Sequence, residues 1–166
     1  MKAIILAGGR GKRLRPITDK IPKPLIPINN KPLIERTIKY LKKYGVTEII
    51  ISAGYKSHLI EKFLKQKKNF GCDIIFSIEK TPLGTGGAVK KALKYVEENS
   101  FLVLNGDIVT NINLKKIMKK ENTIAANELK TKFGTMDIKG NKILKFNEKK
   151  DVTNVWMNPG IYHLST

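Results

Sequence analysis

This sequence is poor in cysteine, histidine and acidic side chains, and it has no long apolar run. The single cysteine, Cys72, excludes an internal disulfide and fits a reducing compartment. No hydrophobic stretch approaches the roughly 20 residues that a membrane-spanning helix needs. The apolar patch "AIILA" near the N-terminus is too short for a signal peptide, and glycine and charge follow it at once. A cytoplasmic protein with no membrane partner is therefore expected. Two phosphate-loop signatures are also missing from the segment "LAGGRGKRLRPIT", residues 6–18, which invites both. A Walker A loop needs Ser or Thr after its Gly-Lys pair, but Gly11-Lys12 is followed by Arg13. The dinucleotide pattern G-x-G-x-x-G would begin at Gly9 and Gly11, and Leu14 stands where its last glycine belongs.

What is present is the size and balance of one globular domain: 166 residues, 41% hydrophobic and 28% charged. Basic residues outnumber acidic ones 32 to 14, a formal net charge of +18. Such a balance suits nucleic acid, an anionic membrane surface or small phosphorylated substrates. Most lysines, as in "ERTIKYLKKYG" and "AVKKALKYVEEN", fall at the spacing of a solvent-facing helix side. They do not form one dense block interleaved with aromatics. That distribution disfavours nucleic acid as a partner, and salt-dependent DNA affinity would be the mark of that rival reading. The cluster Lys12, Arg13, Arg15, Lys20 and Lys23 differs, being non-helical in pattern and set beside glycines.

The hydrophobic rhythm alternates strand and helix. "KAIIL" reads as a buried strand, and residues 33–44 as a helix with Leu33, Ile34, Ile38 and Leu41 on one face and Gly45 as its stop. "VTEIIISAGY" is a second strand, 57–67 a helix, "CDIIFSIE" a third strand, 86–97 a helix, and "FLVLNGD" a fourth strand ending in a carboxylate. Strands apolar on both faces and separated by helices indicate an α/β fold with a mostly parallel sheet covered on both sides. After Asp107 the rhythm shortens. A helix near 114–119 leads to "TIAANEL", "GTMDIKGNKILKFNE" and "VWMNPGIYHLS", which read as short strands with Lys139-Gly140-Asn141 as a hairpin tip. No internal repeat or low-complexity linker interrupts the chain. Ligands of such sheets lie beyond the carboxyl ends of the strands. There the first strand meets the cationic glycine loop, the third meets "EKTPLGTGG" and the fourth ends in "NGD".

The segment "LAGGRGKRLRPITDKIPKPLIPINNKPLIE", followed in order by "PLGTGGA", "NGD", "FNEKK" and "NPGIY", resembles the signature series of the sugar-1-phosphate nucleotidylyltransferases over the whole chain. The likeness is greatest to the mannose-1-phosphate guanylyltransferase branch. It implies a Rossmann-like, doubly wound mixed sheet with a β-rich sugar-binding extension. Residues 1–166 would form one domain, with about 1–110 holding the nucleotide and about 111–166 the sugar. The implied reaction joins a nucleoside triphosphate, here GTP, to a sugar 1-phosphate, here mannose 1-phosphate, with Mg2+ as cofactor. A sugar-phosphate oxygen attacks the α-phosphorus in line and pyrophosphate leaves. Catalysis of that kind rests on positioning and cations rather than on a protein nucleophile, so His58 and His163 are given no part.

On this resemblance Leu6, Ala7, Gly8, Gly9 and Gly11 lie against the nucleotide, where glycine amides can approach phosphate oxygens. Arg13 matches the arginine that neutralises the triphosphate and departing pyrophosphate. Lys23, in "PKP", matches the lysine between the α-phosphate and the sugar phosphate, with Pro22 and Pro24 restricting the backbone around it. Taken alone, the glycines read as an ordinary tight βα turn, and Lys12 and Arg15 read equally well as solvated surface. Asp107, which alone would be a helix cap or turn former, matches the magnesium ligand. The family adds a second metal-binding carboxylate or amide further along. No Asp or Glu follows Asp151, so either the chain is a shortened form of a longer protein or another group substitutes.

Glu79, Gly84 and Thr85 match the segment lining the base pocket. Many uridylyl- and thymidylyltransferases carry Gln where Glu79 stands. A carboxylate only accepts hydrogen bonds, and guanine offers adjacent N1–H and N2–H donors, so Glu79 suits guanine. Gly134, Glu148, Lys149 and Asn158 match the sugar-phosphate site, although Pro159 replaces the commoner Ala or Thr. Cys72, Trp156 and Met157 read as packing. Rivals within the family are glucose-1-phosphate thymidylyl- or uridylyltransferases and a heptose-1-phosphate guanylyltransferase, which "PLGTGGA" suits equally. The rival from another class is a non-catalytic nucleotide-sensing subunit, though such subunits commonly lose the Arg-Lys-Asp set that is retained here. Homo-oligomeric association is left open.

Overall fold

The computed structural model describes residues 1–129, 134–147 and 155–166. Strand β1 (Lys2–Ala7) leads into the glycine loop, a 3₁₀ turn at Lys12–Leu14 and the short helix α1 (Ile17–Lys20). A second 3₁₀ turn at Lys23–Leu25 and a small ribbon, β2 (Pro27–Ile28) with β3 (Lys31–Pro32), precede helix α2 (Leu33–Lys43). Then come β4 (Glu48–Ala53), α3 (Ser57–Gln66), β5 (Asp73–Ile78), α4 (Gly84–Ala92), β6 (Ser100–Asn105) and α5 (Leu114–Ile117). The remaining strands are β7 (Thr123–Ile124), β8 (Asn127–Glu128), β9 (Thr135–Lys139), β10 (Lys142–Asn147), β11 (Trp156–Met157) and β12 (Ile161–Ser165).

The main sheet has the order β5-β4-β1-β6-β12-β7. Strands β5, β4, β1 and β6 run parallel, and β12 and β7 close one side in antiparallel pairing. The expected doubly wound, mostly parallel mixed sheet is therefore what forms. The chain starts in the middle, winds outward through β4 to β5, then crosses back to lay β6 on the other side of β1. Such a reversal opens a crevice at the carboxyl ends of the strands that flank it.

Successive strand residues face opposite sides of a sheet, and both sides are filled here. Ile4, Ile50, Phe101 and Val103 cluster with Ala92 of α4, with Leu6, Val89, Leu93, Tyr162 and Leu164 packed around them. On the opposite face Ala3, Ile5, Ile49, Ile51, Leu102 and Leu104 are fully buried. Strand β5 departs from this pattern: it lies at the sheet edge, beyond full cover, and its Ile75 and Ile78 remain 41% exposed.

Helix α2 buries Leu33, Ile34, Thr37, Ile38 and Leu41, the stripe expected of its spacing. It ends at the expected glycine. Gly45 N donates to Lys42 O at 3.0 Å and Val46 N to Leu41 O at 3.2 Å, the paired bonds of a Schellman stop. The helix expected over 86–97 starts earlier, at Gly84, and tightens after Ala92 into a 3₁₀ turn at Leu93–Tyr95, beyond which Val96 is extended.

The chain divides into two compact units, Met1–Ile124 with Gly160–Thr166, and Ala125–Pro159. In the second, β9 and β10 form an antiparallel hairpin turning at Gly140, and β8 pairs with β11. Cys72 is buried as expected, but Trp156 and Met157 are 63% and 47% exposed. The expectation that they pack is not met: among the described residues they stand on a ribbon of two residues against two, which leaves both side chains exposed. Among the described residues no helix is long and apolar enough to cross a membrane.

Phe101 is among the largest fully buried side chains. Phe101→Ala is expected to lower the unfolding free energy by about 3–5 kcal/mol, read as a lower urea midpoint at unchanged slope.

Candidate active site

A cavity of about 350 Å³ lies at the carboxyl ends of β1 and β6. Leu6, Ala7, Gly8 and Gly9 line it from β1; Glu79, Pro82, Gly84, Thr85 and Ala88 line it from the β5–α4 segment. Asn105, Gly106 and Asp107 come from the end of β6, and Lys23 with Pro24 completes the wall.

Lys23 Nζ donates to Asp107 Oδ2, across 84 residues of sequence. The two side chains are 35% and 36% exposed, so the pair stands at the cavity wall with access to solvent. Each partner is held by its backbone. The turn carrying Lys23 is closed by Leu25 N to Pro22 O at 2.9 Å and Ile26 N to Lys23 O at 3.0 Å. It is then tied to α2, because Leu33 N donates to Ile26 O at 3.2 Å and Arg36 Nη2 to Ile28 O at 2.5 Å. Next to Asp107, Gly106 N donates to Leu6 O at 2.8 Å, fastening the end of β6 to β1.

Glu79 is the other cavity carboxylate. Its backbone N–H continues the ladder with Ala53 O at 2.7 Å. Its side chain accepts from Ser52 Oγ at 3.0 Å through Oε1 and from Leu83 N at 3.2 Å through Oε2. Gly8 makes room for this: a Cβ there would stand 2.7 Å from Glu79 Oε1. The loop beyond is stitched together as closely. Gly11 sits at φ +62°, and a Cβ on it would come within 2.9 Å of Thr18 Cγ2. Thr18, buried, donates to Gly11 O at 3.1 Å. Tyr55 Oη donates to Thr18 O at 3.0 Å, while Lys56 Nζ reaches Asp19 O and, at 3.1 Å, Lys20 O. Gly8 and Gly11 thus have reasons inside the protein to be glycine, whatever else their amides do.

Of the residues singled out in the sequence, Leu6, Ala7, Gly8, Gly9, Lys23, Glu79, Gly84, Thr85 and Asp107 gather round one cavity. Gly11 lies outside its lining. Arg13 is exposed on the Lys12–Leu14 turn, away from the lining and without an ion pair among the described residues. Arg15 pairs with Asp19 at 3.2 Å. Gly134 and Asn158 are exposed residues of the second unit. Glu148 and Lys149 lie outside the described residues.

Sequence reasoning passed over Ser52, Tyr55 and Lys56. Ser52 did leave a signal, as a polar side chain in the otherwise apolar run "EIIISA", where a buried hydroxyl demands a partner. Arg10 and Lys80 were also passed over; they line a smaller adjoining hollow of about 150 Å³ that shares Gly8 and Glu79.

Among the described residues no Ser-His or Cys-His pair is set up for nucleophilic catalysis. His163 is buried with Nδ1 3.0 Å from Lys120 O, and His58 is exposed. Burial foremost, with Asp73 nearby, pushes the Cys72 thiol up despite Lys42. Among the described residues no three His, Cys, Asp or Glu side chains cluster as a ready metal cage. A hard cation held by one carboxylate and completed by phosphate oxygens and water needs no such cage. Asp107, accessible at the strand end, fits that donor pattern.

Residues 2–166 match the nucleotidyl transferase family model. A D-glycero-alpha-D-manno-heptose 1-phosphate guanylyltransferase of Campylobacter jejuni is 41% identical over 170 residues, spanning 99% of this chain and 76% of that protein. Mannose-1-phosphate guanyltransferase beta-B of Xenopus laevis is 37% identical over 179 residues, with 99% of this chain matched to 50% of the relative. Among solved structures, HddC from Yersinia pseudotuberculosis complexed with GMP-PN superposes with a TM-score of 0.78 at 35% identity, covering 99% of this chain and 76% of that one. This chain belongs to the nucleotidyl transferase family. Enzymes of this family generally use a divalent metal ion.

Gly11→Ala would place an L side chain in the left-handed region and against Thr18. It is expected to cost at least about 1–2 kcal/mol in chemical denaturation. Gly9→Ala, where nothing lies within 4 Å of the added carbon, should be close to neutral in the same assay.

Proposed function

We propose that this chain transfers the guanylyl group of GTP to a sugar 1-phosphate, giving a GDP-sugar and pyrophosphate. The observation that carries the reading is the cavity itself, which has a cation–carboxylate pair, Lys23 and Asp107, at one part of its wall and the acceptor Glu79 at another. That spacing of chemistry along one pocket suits a triphosphate with its base. Family membership over residues 2–166 supports it.

In this reading the amides of Gly8 and Gly9 and the Lys23 ammonium hold the phosphates, and Arg13 swings from its exposed turn onto the outer phosphates and the departing pyrophosphate. Lys23 leaves Asp107 for the α-phosphate and the incoming sugar phosphate, where it stabilises the charge that grows as the new P–O bond forms. Asp107 would hold Mg2+, which supplies charge neutralisation on the phosphoryl oxygens when bound. Glu79 accepts from guanine, with Gly84 and Thr85 beside it. Residues about 1–110 serve the nucleotide and about 111–166 the sugar, through Gly134, Glu148, Lys149 and Asn158. The low cysteine content supports a cytoplasmic setting. Neither nucleic acid nor a membrane has a part in the reaction.

The sugar is of the manno series. Mannose 1-phosphate and the manno-heptose 1-phosphate differ in the tail beyond C5, so one pocket can take either ring. The heptose is favoured by one observation: the Campylobacter jejuni relative is more identical to this chain, 41% against 37%.

Lys23→Ala and Asp107→Ala are each expected to lower pyrophosphate release by at least about 100-fold. The fold should survive, because a partly exposed ion pair contributes roughly 0–1 kcal/mol. Turnover at the wild-type rate in either variant removes that residue from the mechanism. Thermal shifts with GTP, dTTP, UTP and CTP in the presence of magnesium should rank GTP first; a larger shift with UTP or dTTP would overturn the guanine assignment and leave the family untouched.

A further inference from the structure

Ser52 is fully buried near the end of β4, and its hydroxyl bonds the Glu79 carboxylate rather than the backbone. We propose that Ser52 is a positioning residue for base selection: with the Leu83 N–H it fixes the plane of Glu79 so that both carboxylate oxygens face a base bearing two adjacent N–H donors. This rests on the guanine reading given above.

The geometry supports a clamp. Oε1 takes the Ser52 hydroxyl at 3.0 Å and Oε2 the Leu83 N–H at 3.2 Å, one donor on each oxygen. An ionised carboxylate accepts about two hydrogen bonds at each oxygen, so each retains capacity toward the cavity. Gly8 and Gly54 close the remaining space: added Cβ atoms would stand 2.7 Å from Glu79 Oε1 and 3.5 Å from Glu79 Cβ. A glutamate held in this way does not surrender its rotamer freedom when the nucleotide arrives, which favours binding.

The two donors are not equivalent. A serine hydroxyl can turn to accept, but the Leu83 N–H can only donate. A glutamine at position 79 would therefore direct its amide oxygen to Leu83 and its NH2 toward Ser52. It would then offer the cavity one acceptor beside one donor, a match for an N–H next to a carbonyl, as in uracil or thymine. With Glu79 the same clamp offers two acceptors. Loss of the Ser52 hydroxyl leaves Oε1 short of a partner against Gly8, and the carboxylate turns toward water to recover one.

The test is steady-state pyrophosphate release with GTP and with inosine triphosphate, which keeps N1–H and lacks the N2 donor. Wild type should favour GTP in kcat/KM by roughly tenfold or more. In Ser52→Ala the KM for GTP should rise about tenfold with kcat within about twofold, and the GTP-to-ITP ratio should fall toward one. In a Glu79→Ala background the same change should leave the ratio where Glu79→Ala alone puts it. Equal loss in both backgrounds would mean that Ser52 acts on the fold and not through Glu79, and would overturn the proposal. Binding of inorganic tripolyphosphate should be unchanged in Ser52→Ala; Ser52→Cys, of similar size and a poor donor, replaces it should the alanine variant not fold. If wild type itself prefers UTP or dTTP, the guanine reading fails and this inference with it. If wild type prefers GTP and both Ser52 variants keep its GTP-to-ITP ratio, the inference alone fails.

Discussion

The pairing of β1 with parallel strands on both sides is the constraint on which everything else in the main unit depends. Ile4 sits in register with Ile50 of β4 on one flank and Val103 of β6 on the other. With both flanks occupied, the carboxyl ends of three strands stop at the same level, and the segments that follow them must share the space above. Gly8 follows β1, Tyr55 follows β4 and Asp107 follows β6, so residues remote in sequence become neighbours without any long-range device beyond the sheet. The bonds from Gly106 N to Leu6 O and from Glu79 N to Ala53 O extend that register past the strands. Both bonds hold lining residues of the cavity, at Leu6 and Gly106 and at Glu79.

Much of this was legible in the sequence because burial on both faces writes a strong signal. Runs such as "EIII" and "FLVL" admit few alternatives to a covered parallel strand, and the α2 stripe closed by Gly45 behaves as its spacing requires. Order within the sheet was not legible from periodicity alone, since nothing in "KAIIL" says which strands lie beside it. The glycine loop was read by what it could offer a ligand, whereas the close approaches that demand glycine there come from Glu79 and Thr18. Those side chains lie 71 and 7 residues away from the glycines they crowd, at Gly8 and Gly11, and only tertiary contact reveals the crowding. Trp156 and Met157 illustrate the reverse error. Residue type points these large apolar side chains to packing, but among the described residues they stand on a two-residue ribbon that leaves them exposed.

Charge is organised at two levels. Part of the +18 is spread over helix surfaces, as at the exposed Lys39, Lys42, Lys43, Lys62, Lys65 and Lys90, where solvent and salt damp it. The loop after β1 is different, because its basic side chains are carried on a backbone pinned by Thr18, Tyr55 and Lys56. Lys56 spends its own ammonium on the carbonyls of Asp19 and Lys20, and Arg15 is matched by Asp19. Not every cation in the cluster is thus free to meet an anion. The proposed roles fall on Lys23, which the cavity exposes, and on Arg13, which no described carboxylate restrains.

Lys23 and Asp107 occupy one another at the cavity wall, so a ligand that engages either side chain has to displace the other. A lone anion drawn to the ammonium has to compete with a carboxylate already in place, and a lone metal ion drawn to the carboxylate has to compete with the ammonium. When cation and anion arrive as one neutralised species, each displaced partner finds a replacement in the same event. A partly exposed pair of this kind sets only a small bias, toward a metal-bound anion over either ion alone.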